Sequence, residues 1–393
     1  MAKMTLRDVD LKNKIVLMRA DFNVPLDDKL NITDDTRIKE TLPTIRYILD
    51  KGAKRLILMS HLGRPDGKRV DKYSLKPVAQ RLKGLLGENV KFLDDCVGQK
   101  VKKSAAQAKE RIVLLENLRY HSEEEANDSV FAKELSSLGE IFVNDAFGTA
   151  HRAHASTTGI TKYLKSVAGF LLEKEIKYLG DALQDPQRPF VAILGGAKVS
   201  DKIAVIDNLL VKCDAILIGG GMSYTFLKAQ GKNIGNSKLE KDKLELAKSI
   251  LDKAKAVNKE IVLPVDNIVV DKIDADSKSE LVGDNIPDGK IAVDIGPETI
   301  ALFKDKLKNA RTIVWNGPLG IFEMDAFSKG TKEIVEFIAH LKTTSIIGGG
   351  DTAAAVSKFG MQSKMSHVST GGGASLEFLE GKVLPGIASL TDK

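Results

Sequence analysis

Residues 190–202 read Phe190-Val191-Ala192-Ile193-Leu194-Gly195-Gly196-Ala197-Lys198-Val199-Ser200-Asp201-Lys202. An apolar, partly β-branched run of this length, closed by glycines, predicts a strand buried on both faces. The glycines let backbone N–H groups approach an anion closely, and the polar residues after them predict the start of a helix. Lys198 and Lys202 are four apart, so in a helix they would share one face. Strand, glycine turn and helix together make the unit of a parallel sheet covered by helices.

The unit recurs along the chain. In the second half, further strands are expected near residues 215–218, 261–263, 312–315, 345–347 and 366–368. Several run into glycine loops: Gly219-Gly220-Gly221, Asn316-Gly317-Pro318, Gly348-Gly349-Gly350-Asp351 and Gly371-Gly372-Gly373. In the first half, strands are expected near 14–19, 55–59, 112–115 and 141–143. They lead into Asp21-Phe22-Asn23, His61-Leu62-Gly63-Arg64, Leu118-Arg119-Tyr120-His121 and His151-Arg152-Ala153-His154. Helices are expected between them. One carries Leu42, Ile45, Ile48 and Leu49, is closed by Gly52, and starts or kinks near Pro43; another covers 73–86. Leu171, Leu172, Ile176, Leu179 and Leu183 mark an amphipathic connecting helix, broken by Asp185-Pro186-Gln187-Arg188-Pro189. The fold class is therefore α/β, with two parallel sheets flanked by helices.

Composition agrees with two domains of ordinary size: 393 residues, 43% apolar, 28% charged, net charge +6. Eleven of the thirteen arginines precede residue 170, whereas the triple-glycine runs all follow residue 213. Arginine's planar fork grips carboxylate and phosphate, so one half reads as holding a small anion and the other a polyphosphate. The basic first half lacks a long Lys/Arg run and stacking aromatics, so nucleic acid is not the expected partner. Cys96 and Cys213 match no metal spacing and read as reduced thiols. No apolar run approaches the ~20 residues of a membrane span. The opening residues lack a signal-peptide core, which makes the cytoplasm the expected compartment.

Each candidate residue has an ordinary reading as well. Taken singly, Arg37, Arg64, Arg119 and Arg152 are solvated arginines; converging on one rim with His61, they would hold a ligand with two anionic groups. Asp21 either accepts from a substrate hydroxyl or orients an arginine. Lys198 and Lys202 are a polyphosphate site or two surface lysines. Asp351 or Thr352 caps a helix over 353–358, or Asp351 supplies a hard oxygen to Mg²⁺. Glu323 reaches a ribose hydroxyl or is a surface glutamate. Neither the GxxxxGK[ST] phosphate loop nor the GxGxxG dinucleotide fingerprint is present. A non-catalytic nucleotide-binding protein and a nicotinamide dehydrogenase are the competing classes.

Residues 21–25, 60–65, 115–120, 150–156, 195–202, 348–352 and 369–377 together resemble the phosphoglycerate kinase family, in order and over essentially the whole chain. The resemblance implies transfer of the acyl phosphate of 1,3-bisphosphoglycerate to ADP, with Mg²⁺, by two Rossmann-like domains facing across a cleft; nothing in the sequence demands more than a monomer. It implies phosphoglycerate contacts from Asp21, Phe22, Asn23, Arg37, His61, Leu62, Gly63, Arg64, Arg119 and Arg152. It implies nucleotide contacts from Gly196, Ala197, Lys198, Lys202, Asn316, Glu323, Gly349, Gly350, Asp351 and Thr352, with Asp351 toward the metal. Arg37 and Lys202 would be catalytic, and the Gly371 and Gly372 amides would face the transferred group. The expected domains are 1–168 with 372–393, and 169–371 including the connecting helix near 169–184.

Overall fold

The computed structural model describes residues 2–393. The chain divides into two compact units, Met1–Ile176 with Val383–Lys393, and Lys177–Lys382. These bounds differ from the expected 168/169 and 371/372: the first falls inside the helix Phe170–Gln184, and the helix Gly372–Leu379 packs in the second unit.

The first unit holds β1 (Ile15–Arg19), β2 (Arg55–Met59), β3 (Val90–Phe92), β4 (Ile112–Leu114), β5 (Ile141–Asn144) and β6 (Lys165–Ala168). They form one parallel sheet in the order β3-β4-β2-β1-β5-β6. Successive side chains go to opposite cores. Val16, Met18, Leu56, Leu58, Ile112 and Leu114 enter one cluster, and Leu17, Ile57, Met59, Val113 and Phe142 the other. Both faces are thus covered, which is why the strands read as continuous apolar runs rather than alternating ones. The register pairs Arg19 with Met59 on one side and Asn144 on the other. The loops after β1, β2 and β5 consequently leave from one sheet edge, where ligands of such sheets bind.

The second unit holds β7 (Phe190–Leu194), β8 (Ala215–Ile218), β9 (Glu260–Val262), β10 (Asp266–Val270), β11 (Glu280–Gly283), β12 (Ile291–Ile295), β13 (Thr312–Asn316), β14 (Thr344–Gly348) and β15 (His367–Val368). Its main sheet is parallel in the order β15-β14-β13-β7-β8-β9. Asn316 at the end of β13 pairs with Leu194 and Gly348, so three of the loops leave from one edge. β7 lies between β13 and β8, so the chain order reverses at β7, the switch point where a ligand is expected. β10, β11 and β12 form a separate antiparallel sheet that the sequence reading missed. β10 opens on the buried polar pair Asp266 and Asn267, which hides it from an apolar-run search.

Three helix boundaries are corrected. The helix expected to start or kink at Pro43 runs Thr36–Asp50. Its buried stripe begins at Ile38 and continues through Thr41, Thr44, Ile45 and Ile48. Pro43 denies the Lys39 carbonyl an N–H partner, but Lys39 is exposed and water can replace it. The helix expected over 73–86 begins at Lys76. The helix after β7 begins only at Ile203, so Lys198 lies in the turn and does not share a helical face with Lys202.

The C-terminal segment completes the first unit. Gly386 N–H donates to Ala150 O (2.9 Å), Asn144 Nδ2 donates to Gly386 O (3.1 Å), and Thr391 N–H donates to Ser166 O (3.0 Å). Beside it, Asp145 at the end of β5 is fully buried. Its Oδ1 accepts from Leu171 and Leu172 N–H at 2.9 and 3.1 Å, in the first turn of the helix Phe170–Gln184.

Burial lifts the Asp145 carboxyl to about 7, against the pull of its hydrogen bonds. The folded protein therefore binds more protons than the unfolded chain between about pH 4 and 7. Asp145 stabilises most below that window, and its contribution is lost as pH rises through about 7. Urea unfolding of wild type and Asp145→Asn at several pH values should show their difference drifting steadily over that window. A difference independent of pH would contradict the assignment.

Candidate active site

In the first unit the sheet-edge loops are tied into one polar set. Arg37, in the first turn of its helix, donates from Nη1 to Asp21 Oδ2 at 2.7 Å. The contact fits Asp21 as the partner that orients Arg37, one of its two expected roles. Gly63 N–H donates to Asn23 Oδ1 (2.8 Å), and Arg119 Nη1 donates to Gly63 O (2.9 Å). The loop after β2 is thus gripped from the loops after β1 and β4. Gly63 has φ +63°, and a Cβ there would lie 2.4 Å from the Tyr73 ring, so only glycine fits. Glu125 bridges two more cations, with Oε1 3.3 Å from Arg119 Nε and 3.9 Å from Arg152 Nη1. Arg64 is exposed on the same loop. Phe22 and Leu62 are brought to the site only by their main chain, because both side chains lie in the core.

Beneath this rim is a chain of buried polar groups that the sequence reading did not single out. Arg19 at the end of β1 is completely buried; its Nε donates to Ser156 Oγ at 2.8 Å. Ser156 Oγ in turn donates to Glu124 Oε1 (2.6 Å), and Ser156 N–H donates to Oε2 (2.9 Å). Arg19 Nη2 lies 3.1 Å from His61 Nδ1. A guanidinium can only donate, so Nδ1 accepts and the proton of His61 sits on Nε2. Burial, then the Arg19, Arg119 and Arg37 charges, hold His61 well below the usual imidazole range. Burial, then the Arg19, Arg119 and Arg152 charges, bring His154 to about 3. Both histidines are therefore neutral near pH 7, and the positive charge of the rim comes from its arginines. An arginine ending an otherwise apolar strand, two residues before Asp21, was the signal available in the sequence.

In the second unit, Gly196 N–H donates to Pro318 O (2.9 Å) and Gly195 N–H to Asn316 O (3.0 Å), bringing the loops after β7 and β13 together. Gly317 has φ +102°, and a Cβ on it would fall 2.1 Å from Gly195 O. Glu240 fixes the turn: Oε2 accepts from Val199 and Ser200 N–H, and Ser200 Oγ donates to Oε1 at 2.6 Å. Lys202 Nζ donates to Asn316 Oδ1. Burial lowers the Lys202 ammonium pKa, while the carboxylates of Asp201, Asp351 and Glu380 push it back up. Asn316 Nδ2 is buried and has no hydrogen-bond partner among the described residues, leaving a donor beside Gly349.

The Asp351/Thr352 capping alternative is corrected. The helix runs Gly350–Lys358 with Gly349 at its N-cap and no side-chain cap. Asp351 is an exposed residue of the first turn, and Thr352 Oγ1 is buried, accepting from Gly317 N–H at 2.6 Å. Gly371 lies at the N-cap of the helix Gly372–Leu379, and a Cβ on Gly372 would lie 3.3 Å from Gly350 N. Lys198, Ala197 and Glu323 are exposed; Glu323 is tied to this region through its carbonyl, which accepts from Lys358 Nζ.

One unit thus presents an arginine-rich rim and the other convergent glycine loops with a half-buried lysine, the equipment of an enzyme that transfers phosphoryl groups. The family model described as phosphoglycerate kinase matches residues 6–382. Phosphoglycerate kinases of Koribacter versatilis and Pseudothermotoga lettingae are 58% and 57% identical, each matched over all of both chains. The solved phosphoglycerate kinase of Coxiella burnetii superposes with a TM-score of 0.90 at 43% identity, over 98% of each chain. The chain belongs to the phosphoglycerate kinase family. It is a kinase of glycolysis that reversibly transfers a phosphoryl group between 1,3-bisphosphoglycerate and ADP.

Replacing Ser156 with Ala leaves Arg19 Nε and one Glu124 oxygen buried without a partner, costing about 1–3 kcal/mol. Urea denaturation should show this loss, and an unchanged midpoint would remove the buried chain as a support of the rim.

Proposed function

We propose that the two substrates are divided between the units. In this reading phosphoglycerate is held at the first-unit edge by Asp21, Asn23, Arg37, His61, Gly63, Arg64, Arg119 and Arg152, with Phe22 and Leu62 contributing main chain. The nucleotide is held at the second-unit edge by Gly196, Ala197, Lys198, Lys202, Asn316, Glu323, Gly349, Gly350, Asp351 and Thr352. The observation that carries this reading is that each set lies at the carboxyl edge of its own parallel sheet.

The chemistry needs no general base. In ATP formation a β-phosphate oxygen of ADP attacks, and in the reverse direction the substrate carboxylate attacks; both are ionised near pH 7. What remains is in-line positioning and neutralisation of the charge spread over the moving phosphoryl group. Arg37 supplies charge from the first unit and Lys202 from the second, assisted by the Gly371 and Gly372 amides. Neither unit carries both sets, so the transfer requires closure, which also excludes water from the acyl phosphate. The exposed carboxylate of Asp351 suits a Mg²⁺ held by one protein oxygen and substrate phosphates. Bound there, Mg²⁺ would supply charge neutralisation at the nucleotide phosphates.

A monomer in the cytoplasm completes the proposal; no helix among the described residues is long and apolar enough to cross a membrane.

The test is ATP formation from ADP, Mg²⁺ and freshly generated 1,3-bisphosphoglycerate. Lys202→Ala should lose at least about a hundredfold in kcat with little change in either KM, because it acts on the transition state. Arg152→Ala should mainly raise the KM for phosphoglycerate. The reverse pattern would refute both roles.

A further inference from the structure

Apart from the reacting groups, three side chains of different ligand chemistry meet beyond the carboxyl ends of β3 and β4. Asp95 and Cys96 lie in the segment after β3, and His121 follows the turn after β4. One ligand atom from each, a carboxylate oxygen, Sγ and an imidazole nitrogen, lies within 4.8 Å of the others. We propose that Asp95, Cys96 and His121 form a binding site for one zinc-class divalent ion.

The three residues are already drawn together. Asp95 Oδ1 lies 2.7 Å from His121 Nε2 and accepts from Cys96 N–H, also at 2.7 Å. The His121 ring packs against Phe131, with centroids 5.3 Å apart. Cys96 is completely buried, whereas Asp95 and His121 are partly open, so an ion has an approach from their side. A thiolate, an imidazole and a carboxylate make the borderline-soft set that zinc takes, with water as a fourth ligand; it is not the all-oxygen set of Mg²⁺.

The surrounding field favours a cation. Glu116 and Glu124 are buried nearby, and with Asp95 they make the surroundings of Cys96 negative. The same charges welcome a divalent ion, which replaces the thiol proton: Cys96–SH and the metal ion give the metal thiolate and a released proton. Arg69, more than half exposed at the rim, opposes this from the solvent side. The ion would tie the segment after β3 to the turn that carries Arg119, two residues before His121.

Co²⁺ is the probe, because only thiolate coordination gives it an intense near-ultraviolet charge-transfer band. The full-length protein is titrated with Co²⁺ in excess Mg²⁺, so that oxygen-only sites such as Asp351 are occupied by Mg²⁺. The expected result is a charge-transfer band saturating at one equivalent, retained in Cys213→Ser and absent in Cys96→Ser. His121→Ala, at a partly exposed position, should weaken binding at least about tenfold. Kinase turnover and thermal unfolding of each variant establish that it is folded. No band in the wild type, a band unaltered by His121→Ala, or a band lost with Cys213 would each overturn the site.

Discussion

Parallel pairing in register is the constraint on which both sites depend. Because β1 pairs with β2 and β5 so that Arg19, Met59 and Asn144 lie level, the three loops that follow must emerge together. The second unit repeats this with Leu194, Asn316 and Gly348. Both faces of the first sheet are covered and filled mainly with apolar side chains, so its charged groups collect at the strand ends and in the loops that follow them. A one-residue slip would send each side chain into the opposite core and scatter the loops. The sites are therefore consequences of the sheets.

At the first edge, charge has to be concentrated without self-repulsion pulling it apart. The structure meets this by interleaving acids and by keeping the histidines neutral. Asp21 faces Arg37, Glu125 lies between Arg119 and Arg152, and Glu124 answers Arg19 through Ser156. The buried chain would be costly if any member were left unpaired, which makes it a rigid floor when complete. The second edge works with main chain instead. Glycines bring three loops within backbone contact, and a few side chains set their spacing: Glu240 on the turn, Thr352 on Gly317, and Lys202 on Asn316.

Much of this was legible in the sequence. The ten strands read from apolar runs are all present, because a doubly covered parallel strand must be apolar on both faces. The loops that carry Arg, His and Gly followed directly from where the runs stop. Edge and polar strands escaped: β3 and β6, at the two edges of their sheet, are interrupted by Lys91 and by Lys165 and Ser166, and β10 hides behind buried Asp266 and Asn267. Residues that act on other residues escaped too. Glu240 meets its loop across some forty positions of sequence, and Glu124 meets Ser156 across thirty-two, contacts that no local pattern encodes. A polar residue after a glycine turn looks like a helix start, which is why Lys198 is expected on a helix, yet the turn continues to Lys202.

The proposed division of labour gives phosphoglycerate to one unit and the nucleotide to the other, each at its own sheet edge. Calorimetric titration of 3-phosphoglycerate and of Mg-ADP, separately, into the wild type and into Arg119→Ala tests it most directly. Arg119→Ala should lose most of its affinity for 3-phosphoglycerate and bind Mg-ADP as the wild type does. Parallel loss of both ligands, or loss of Mg-ADP alone, would contradict it.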